Sequence, residues 1–228
     1  MILVIKHIDI EGPGSMEDYF LNTPLRLKEI DLSRGDALPD DLKDIEAVVS
    51  LGGPMNVYQE DKYPFLKSED LFLRKALKKE IPILGICLGS QMLARASAAK
   101  VRKAENKEVG WYRVNLTKEG KQDPLFRALP ENLEVFQWHE DTFALPKSGT
   151  LLAESDTCMN QAFKVGKNAY GLQFHIEVTP QMIEAWINKY KHNGQRLEAK
   201  DMLTLAHKKQ GKFRKQADYI YSNFAGLL

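Results

Sequence analysis

The chain has 228 residues, with 32 Lys plus Arg against 31 Asp plus Glu, a formal net charge of +1. That balance calls for neither a nucleic-acid surface nor an acidic partner. Two cysteines make no disulfide framework, which suits a reducing, cytoplasmic setting, and no apolar run approaches the roughly twenty residues of a membrane span.

Met1–Ile5 reads as a first buried strand, because Lys6, His7 and Asp9 follow too soon for a signal peptide. Met16–Asn22 opens a helix, and Leu25–Ile30 leads into a second strand. Ile45–Leu51 is a buried strand followed by the cluster Gly52-Gly53-Pro54. Leu66–Lys79 has helical periodicity with charged outer positions. Ile81–Ile86 is the central strand, and residues 109–116, 133–138, 150–154 and 159–165 supply later strands, some antiparallel. Tyr170–Val178 reads as a further strand. Thr179 is a good N-cap and Pro180 suits the first position of a helix that runs to about Tyr190. Strands alternating with helices predict an α/β fold with a mostly parallel central sheet and helices on both faces.

The last forty residues differ. His192-Asn193-Gly194 breaks the chain, and 195–224 is polar and helical, with Leu197, Met202, Leu205, Phe213, Ile220 and Phe224 at loose helical spacing. This divides the chain into a main domain, residues 1–190, and a C-terminal extension, residues 191–228, read as a helical pair packed on that domain. Docking a partner, or a second copy to make a homodimer, is the other use of such a stripe.

The chemistry concentrates at Ile81-Pro82-Ile83-Leu84-Gly85-Ile86-Cys87-Leu88-Gly89-Ser90-Gln91. A β-branched run ends in Gly-x-Cys-x-Gly and a helix-forming stretch follows, the strand–turn–helix context of a nucleophile elbow. The flanking glycines allow a tight turn. The thiol then sits at a helix N-terminus, exposed, where the macrodipole favours the thiolate. Cys158 has no flanking glycines and reads as structural. In Phe174-His175-Ile176-Glu177, the His and Glu are two apart, so in extended geometry they share a side. Cys87 is the candidate nucleophile, His175 the base, and Glu177 the carboxylate that orients the imidazole.

These motifs, with Gly52-Gly53-Pro54, Gly110-Trp111 and Gly171-Leu172-Gln173-Phe174-His175-Ile176-Glu177, occur in the order seen in class I glutamine amidotransferase domains. Over roughly residues 1–190 the chain resembles that Cys-His-Glu family, most of all its stand-alone GMP synthase-like members and the γ-glutamyl peptidases built on the same domain. The resemblance implies the flavodoxin-like architecture of the class. It implies an oxyanion hole made by the backbone N–H groups of Gly53 and Leu88. It also places Gln91 against bound glutamine and Gly110 and Trp111 near the substrate's carboxylate end. Gln137-Trp138-His139-Glu140-Asp141 stands where many relatives carry His-Gly-Asp, and Glu140 replaces the glycine. His139 and Asp141 are the further substrate-binding candidates. Pro54 restricts Gly53, which favours a preformed hole.

A metal reading of His139, Glu140, Asp141, His175 and Glu177 matches no standard zinc spacing, and neither a Walker loop nor a dinucleotide fingerprint occurs. The expectation is an enzyme with no metal and no cofactor. It hydrolyses the side-chain amide of glutamine and passes ammonia to an acceptor. Its expected partner is a separate synthetase subunit, with neither nucleic acid nor membrane involved. A γ-glutamyl peptide hydrolase is the alternative within the same chemistry, and a non-catalytic regulatory domain the alternative outside it.

Overall fold

The structure, a computed structural model, describes residues 1–190 and 196–228, the side chains of 196–198 excepted. The expected break at His192-Asn193-Gly194 and the side chain of Leu197 lie outside the described residues.

Apolar runs form β1 (Ile2–Lys6), β2 (Leu27–Asp31), β3 (Ala47–Ser50), β4 (Ile83–Ile86) and β9 (Ala169–Leu172). Between β4 and β9 lie β5 (Val101–Leu116), β6 (Asn132–Phe143), β7 (Gly149–Glu154) and β8 (Ala162–Val165). All join one sheet in the order β2-β1-β3-β4-β9-β8-β7-β5-β6. The helices are α1 (Ser15–Leu21), α2 (Phe65–Lys78), α3 (Leu88–Ala96), α4 (Pro180–Tyr190) and α5 (Arg196–Ala225).

Side chains alternate across the sheet as a strand requires. Ile2 and Val4 join α1 and α5 in one core, whereas Leu3 and Ile5 join α2 and α3 in the other. Helices therefore cover both faces. The mostly parallel expectation holds for half the sheet: β2, β1, β3, β4 and β9 pair in parallel, whereas β9-β8, β8-β7, β7-β5 and β5-β6 are antiparallel. The reason is connection length. Three residues join β8 to β9, with Gly166 at φ 59°, and a parallel pairing needs a crossover of a dozen or more.

Two further expectations are corrected. The C-terminal segment is a single helix, α5, where a helical pair was read. It runs through Gly211 because residues on either side are pinned. Ala206 and Phe213 sit in a cluster with Trp186, and Ala217, Ile220, Tyr221 and Phe224 sit in the main core. The strand read over Tyr170–Val178 stops at Leu172; beyond it, His175 makes one isolated bridge to Phe136. Thr179 does serve the start of α4, accepting from the Met182 N–H at 3.3 Å.

The carboxyl ends of β1, β3, β4 and β9 are adjacent in this order, and open parallel sheets hold their sites at that edge. Among the described residues, no helix is long and apolar enough to cross a membrane.

Candidate active site

Cys87 lies between β4 and α3 with φ 50° and ψ −106°, a region that costs a non-glycine residue about 1–3 kcal/mol. The cysteine itself therefore bears the strain. Its glycine neighbours are needed for space: a Cβ on Gly85 would stand 2.5 Å from the Gly89 carbonyl oxygen, and one on Gly89 would stand 2.0 Å from that of Ser50. The turn is pinned by hydrogen bonds from the Cys87 N–H to the Leu172 carbonyl (2.8 Å) and from the Gly89 N–H to that of Leu51 (3.0 Å). The thiol is not more exposed than its counterpart; Cys87 and Cys158 are each 6% exposed. The Cys87 Sγ donates to the Trp138 carbonyl at 3.8 Å, and the residue belongs to the core cluster that includes Leu51, Leu84 and Ile86.

His175 reaches the same point from the end of β9, its N–H donating to the Phe136 carbonyl at 2.8 Å. The pairing with Glu177 does not come from a shared strand side. The segment bends after Leu172, so that Glu177 Oε1 lies 2.7 Å from His175 Nδ1 and Oε2 accepts the Ile176 N–H at 3.0 Å. The Trp186 ring meets the imidazole edge-on at 4.9 Å, and its N–H donates to the Ile10 carbonyl at 2.9 Å. Burial disfavours the imidazolium, yet the charges of Glu177 and Cys87, with their hydrogen bonds, outweigh it and raise His175 well above its ordinary value. Tyr221 of α5 buttresses the segment from below, donating to the Ile176 carbonyl at 3.2 Å.

Beside Cys87, the chain leaving β3 forms Gly52-Gly53. A Cβ on Gly53 would collide with His7 and Leu88, both at 2.9 Å, and one on Gly52 would lie 2.5 Å from Glu11 Oε2 and 3.0 Å from His175 Cε1. Among the described residues, neither the Gly53 nor the Leu88 N–H has a hydrogen-bond partner. The Gly52 carbonyl does: it accepts from His7 Nδ1 at 3.0 Å. His7 Nε2 lies 2.7 Å from Glu69 Oε2, and Ser50 Oγ donates to Glu69 Oε1 at 2.6 Å.

His7, Glu69 and Glu11 were missed by sequence reasoning. A signal existed for Glu69, since helical spacing places it on the apolar stripe of Leu66 and Leu73. Glu11 had none beyond its loop Glu11-Gly12-Pro13-Gly14. Burial first, and Glu177 second, push its carboxyl up to about 7, against the opposing pull of His175 and His7.

The expected substrate-binding residues are placed variously. Gln91 is buried beneath the elbow, its amide donating to the Asp141 carbonyl (3.1 Å) and to Gln173 Oε1 (3.3 Å). Asp141 Oδ2 accepts from Asn56 at 2.7 Å. Both His139 nitrogens are occupied, Nδ1 by the Asp141 carbonyl (3.0 Å) and Nε2 by Glu108 (2.8 Å). Gly110 takes φ 113°, and the Trp111 ring packs edge-on against Phe136 and Phe213, toward α5.

The residues weighed for a metal do not assemble. Glu140 is an exposed partner of Lys107, whereas His175 and Glu177 hold each other. Among the described residues, Glu108, His139 and Cys158 bring potential ligand atoms within 4.8 Å of one another. There Glu108 is already held by His139, Thr157 and Gln161.

A strained cysteine elbow facing a His–Glu pair, at the carboxyl edge of the parallel half of an α/β sheet, has the layout of a cysteine-centred acyl-transfer site. The family model described as "Glutamine amidotransferase class-I" matches residues 21–189, and the chain belongs to that family of enzymes. It is 34% identical over 166 residues to the glutamine amidotransferase-like protein YfeJ of Salmonella typhimurium, a match spanning 72% of this chain and 68% of that one. It is 36% identical over 157 residues to a glutamine-hydrolyzing GMP synthase subunit of Sulfolobus acidocaldarius, spanning 67% of this chain and 79% of that one. The match to the GMP synthase of Christiangramia forsetii, 33% identical over 144 residues, spans 26% of that protein. A crystal structure of a glutamine amidotransferase from Thermotoga maritima has TM-score 0.89 and 40% identity to it, covering 98% of this chain and 96% of that one. That likeness therefore extends through α5, beyond the end of the family-model match.

Proposed function

We propose that the protein hydrolyses the side-chain amide of glutamine through a Cys87 thioester. The observation that carries this is the strained elbow thiol facing an imidazole whose other side is held by Glu177. The Cys87 thiolate attacks the amide carbon, and the developing oxyanion is received by the Gly53 and Leu88 N–H groups, which have no other partner among the described residues. The tetrahedral intermediate collapses as His175 gives its proton to the leaving nitrogen, so ammonia departs and the thioester remains. His175, now neutral, takes a proton from water; the hydroxide attacks the thioester, glutamate leaves, and the thiolate–imidazolium pair is restored. Gln91 and the Gly110-Trp111 backbone form the substrate side of the site in this reading, whereas His139 and Asp141 act through the network that supports it.

Similarity to a protein named as a GMP synthase subunit supports a separate synthetase as recipient of the ammonia. The two free cysteines agree with a cytoplasmic setting. The isolated chain is expected to release ammonia from glutamine at a measurable but modest rate. The test is a panel of glutamine and γ-glutamyl amides, scored for ammonia and for larger amines, with and without candidate synthetases. Release of ammonia from glutamine supports the proposal. Amine release from γ-glutamyl peptides alone replaces it with a peptidase, and no turnover of any γ-glutamyl amide leaves a non-catalytic domain.

A further inference from the structure

Outside the Cys87–His175–Glu177 set, the parallel half of the sheet holds a second buried histidine–carboxylate pair that the proposed mechanism does not use. His7 leaves the end of β1 and Glu69 rises from α2; both side chains are fully buried. Glu69 has both oxygens engaged, one by His7 Nε2 at 2.7 Å and the other by Ser50 Oγ at 2.6 Å. The far nitrogen, His7 Nδ1, lies 3.0 Å from the Gly52 carbonyl oxygen.

A carbonyl can only accept, so Nδ1 carries the proton. This holds whether the pair is imidazolium with carboxylate or neutral imidazole with carboxylic acid. Burial opposes the charged ring, but Glu69 outweighs it, with smaller contributions from the Gly52 carbonyl and Glu11, and His7 is raised above its ordinary value. The Phe65 ring lies tilted beside it, with centroids 6.2 Å apart. With both of its hydrogen bonds made in a dry site, the imidazole has little freedom to turn.

The Gly52 carbonyl and the Gly53 N–H belong to one planar trans peptide, so they point in opposite directions. Holding the carbonyl toward His7 turns the Gly53 N–H away from it. Pro54 restricts Gly53 from one side only, and since both glycines accept either sign of φ, this peptide's intrinsic preference between its two orientations stays weak. Something else has to fix it, and the bond to His7 is the contact that does so among the described residues.

We propose that His7, seated by Glu69 and Ser50, is a positioning residue that fixes the Gly52–Gly53 peptide with its N–H free for the substrate oxyanion. The inference rests on the hydrolase reading given above. A peptide turned over would present a carbonyl, an acceptor, to developing negative charge. Loss of one oxyanion donor typically costs about 10²–10³-fold in kcat. Removing the brace, which lets the peptide sample both orientations, is expected to cost roughly ten- to a hundredfold.

Two substitutions separate the two bonds of His7. In His7→Gln the amide reaches the Nε2 position and Glu69 but supplies no donor at Nδ1. In His7→Asn the amide nitrogen falls at Nδ1 and still donates to the Gly52 carbonyl. The measurements, on the full-length protein, are kcat and KM for glutamine, and the rate of Cys87 alkylation by iodoacetamide. That alkylation displaces iodide from a tetrahedral carbon and builds no oxyanion, so it reports the fold and the Cys87–His175 pair without the hole. The expected result is a kcat loss in His7→Gln with little change in KM, partial recovery in His7→Asn, and normal alkylation in both. Equal kcat in wild type and His7→Gln overturns the brace. So does a loss of kcat and alkylation together in both variants, which marks His7 as part of the general fold. Wild-type protein that alkylates normally but turns over no γ-glutamyl amide overturns the hydrolase reading, and the inference falls with it.

Discussion

Among the described residues stand two buried sets of cysteine, histidine and glutamate, one in each half of the sheet, and their surroundings differ. At the carboxyl edge of the parallel half stand Cys87, His175 and Glu177; in the antiparallel half stand Cys158, His139 and Glu108. The two thiols are equally buried. The difference is in what remains unspent. His175 has one nitrogen on Glu177 and its other side toward Cys87, whereas both nitrogens of His139 are consumed by Glu108 and a backbone carbonyl. Cys158 is paired with the Thr142 hydroxyl at 3.3 Å, and burial, with Glu108, pushes its thiol up despite that bond. Cys87 alone of the two sits in the left-handed backbone region. Composition does not distinguish the two sets; what does is an imidazole that faces a thiol on one side and a carboxylate on the other, the arrangement a nucleophile and its base require.

The largest effect that sharpens this contrast is at the sulfurs. Cys87→Ala is expected to lower glutamine turnover by roughly 10⁴-fold or more, and Cys158→Ala to leave it within about threefold. After treatment with a glutamine-like chloroketone, peptide mass mapping should find the label on Cys87. Label on Cys158 alone would end the assignment.

The imidazoles come next. His175→Ala is expected to cost about 10³–10⁴-fold in ammonia release with the fold intact, and Glu177→Gln about 10²-fold, because an amide still holds the ring but cannot stabilise the imidazolium. His139→Gln should change kcat by a few-fold at most. A large kcat loss there in folded protein would return His139 to the substrate site.

Stability should reverse that ranking. Glu108→Ala leaves His139, Thr157 and Gln161 without their shared acceptor in a buried site, and each buried polar group so stranded costs about 1–3 kcal/mol, to be read from urea unfolding. A change below about 1 kcal/mol would show that these hydrogen bonds only offset the cost of burying the Glu108 carboxylate.

The smallest effect separates the halves by pH. Glu11, beside His175, is raised to about 7, chiefly by burial. The folded state then binds the proton more tightly than the unfolded one. Its contribution is complete below about pH 4.5 and is lost as pH rises through 7, on the order of 3 kcal/mol in all. Glu108 is the reverse: burial raises it, but hydrogen bonds from His139, Thr157 and Gln161 overcome burial and leave it lowered. Its contribution is present above the unfolded value and is lost as pH falls below it. Glu11→Gln should therefore flatten the stability profile between pH 4.5 and 7, and Glu108→Gln should flatten it on the acid side. Parallel changes in the two variants would contradict this assignment of environments.

Much of the parallel half was legible before any coordinates. The β-branched runs of β1, β3 and β4, the helical period of α2, and Gly-x-Cys-x-Gly at a strand-to-helix junction are local patterns, and local patterns survive in sequence. The antiparallel half was less so. The runs at 109–116 and 133–138 announce strands, some of them antiparallel, but the polar stretch Arg102–Lys107 hides the first half of β5, and which pairs run antiparallel is imposed by the short connections around β7, β8 and β9. The 30-residue α5 was misread as a pair because Gly211 and a loose apolar stripe weaken a helix on their own, and the partners that hold it lie far away in the chain.

By itself the sequence determined the alternation of strands and helices and the glycine-flanked turn at Cys87, since each depends on neighbours within a few residues; it put His175 and Glu177 together too, but through a strand that ends at Leu172. The tertiary structure decided the rest: which cysteine meets a free imidazole, which glutamate is raised and which lowered, and that His7 and Glu69, 62 residues apart, hold the peptide between Gly52 and Gly53. The physical reason is common to all three. Burial and hydrogen-bond partners set the state of a titratable group, and those belong to the packed sheet and helices, where residues distant in the chain become neighbours.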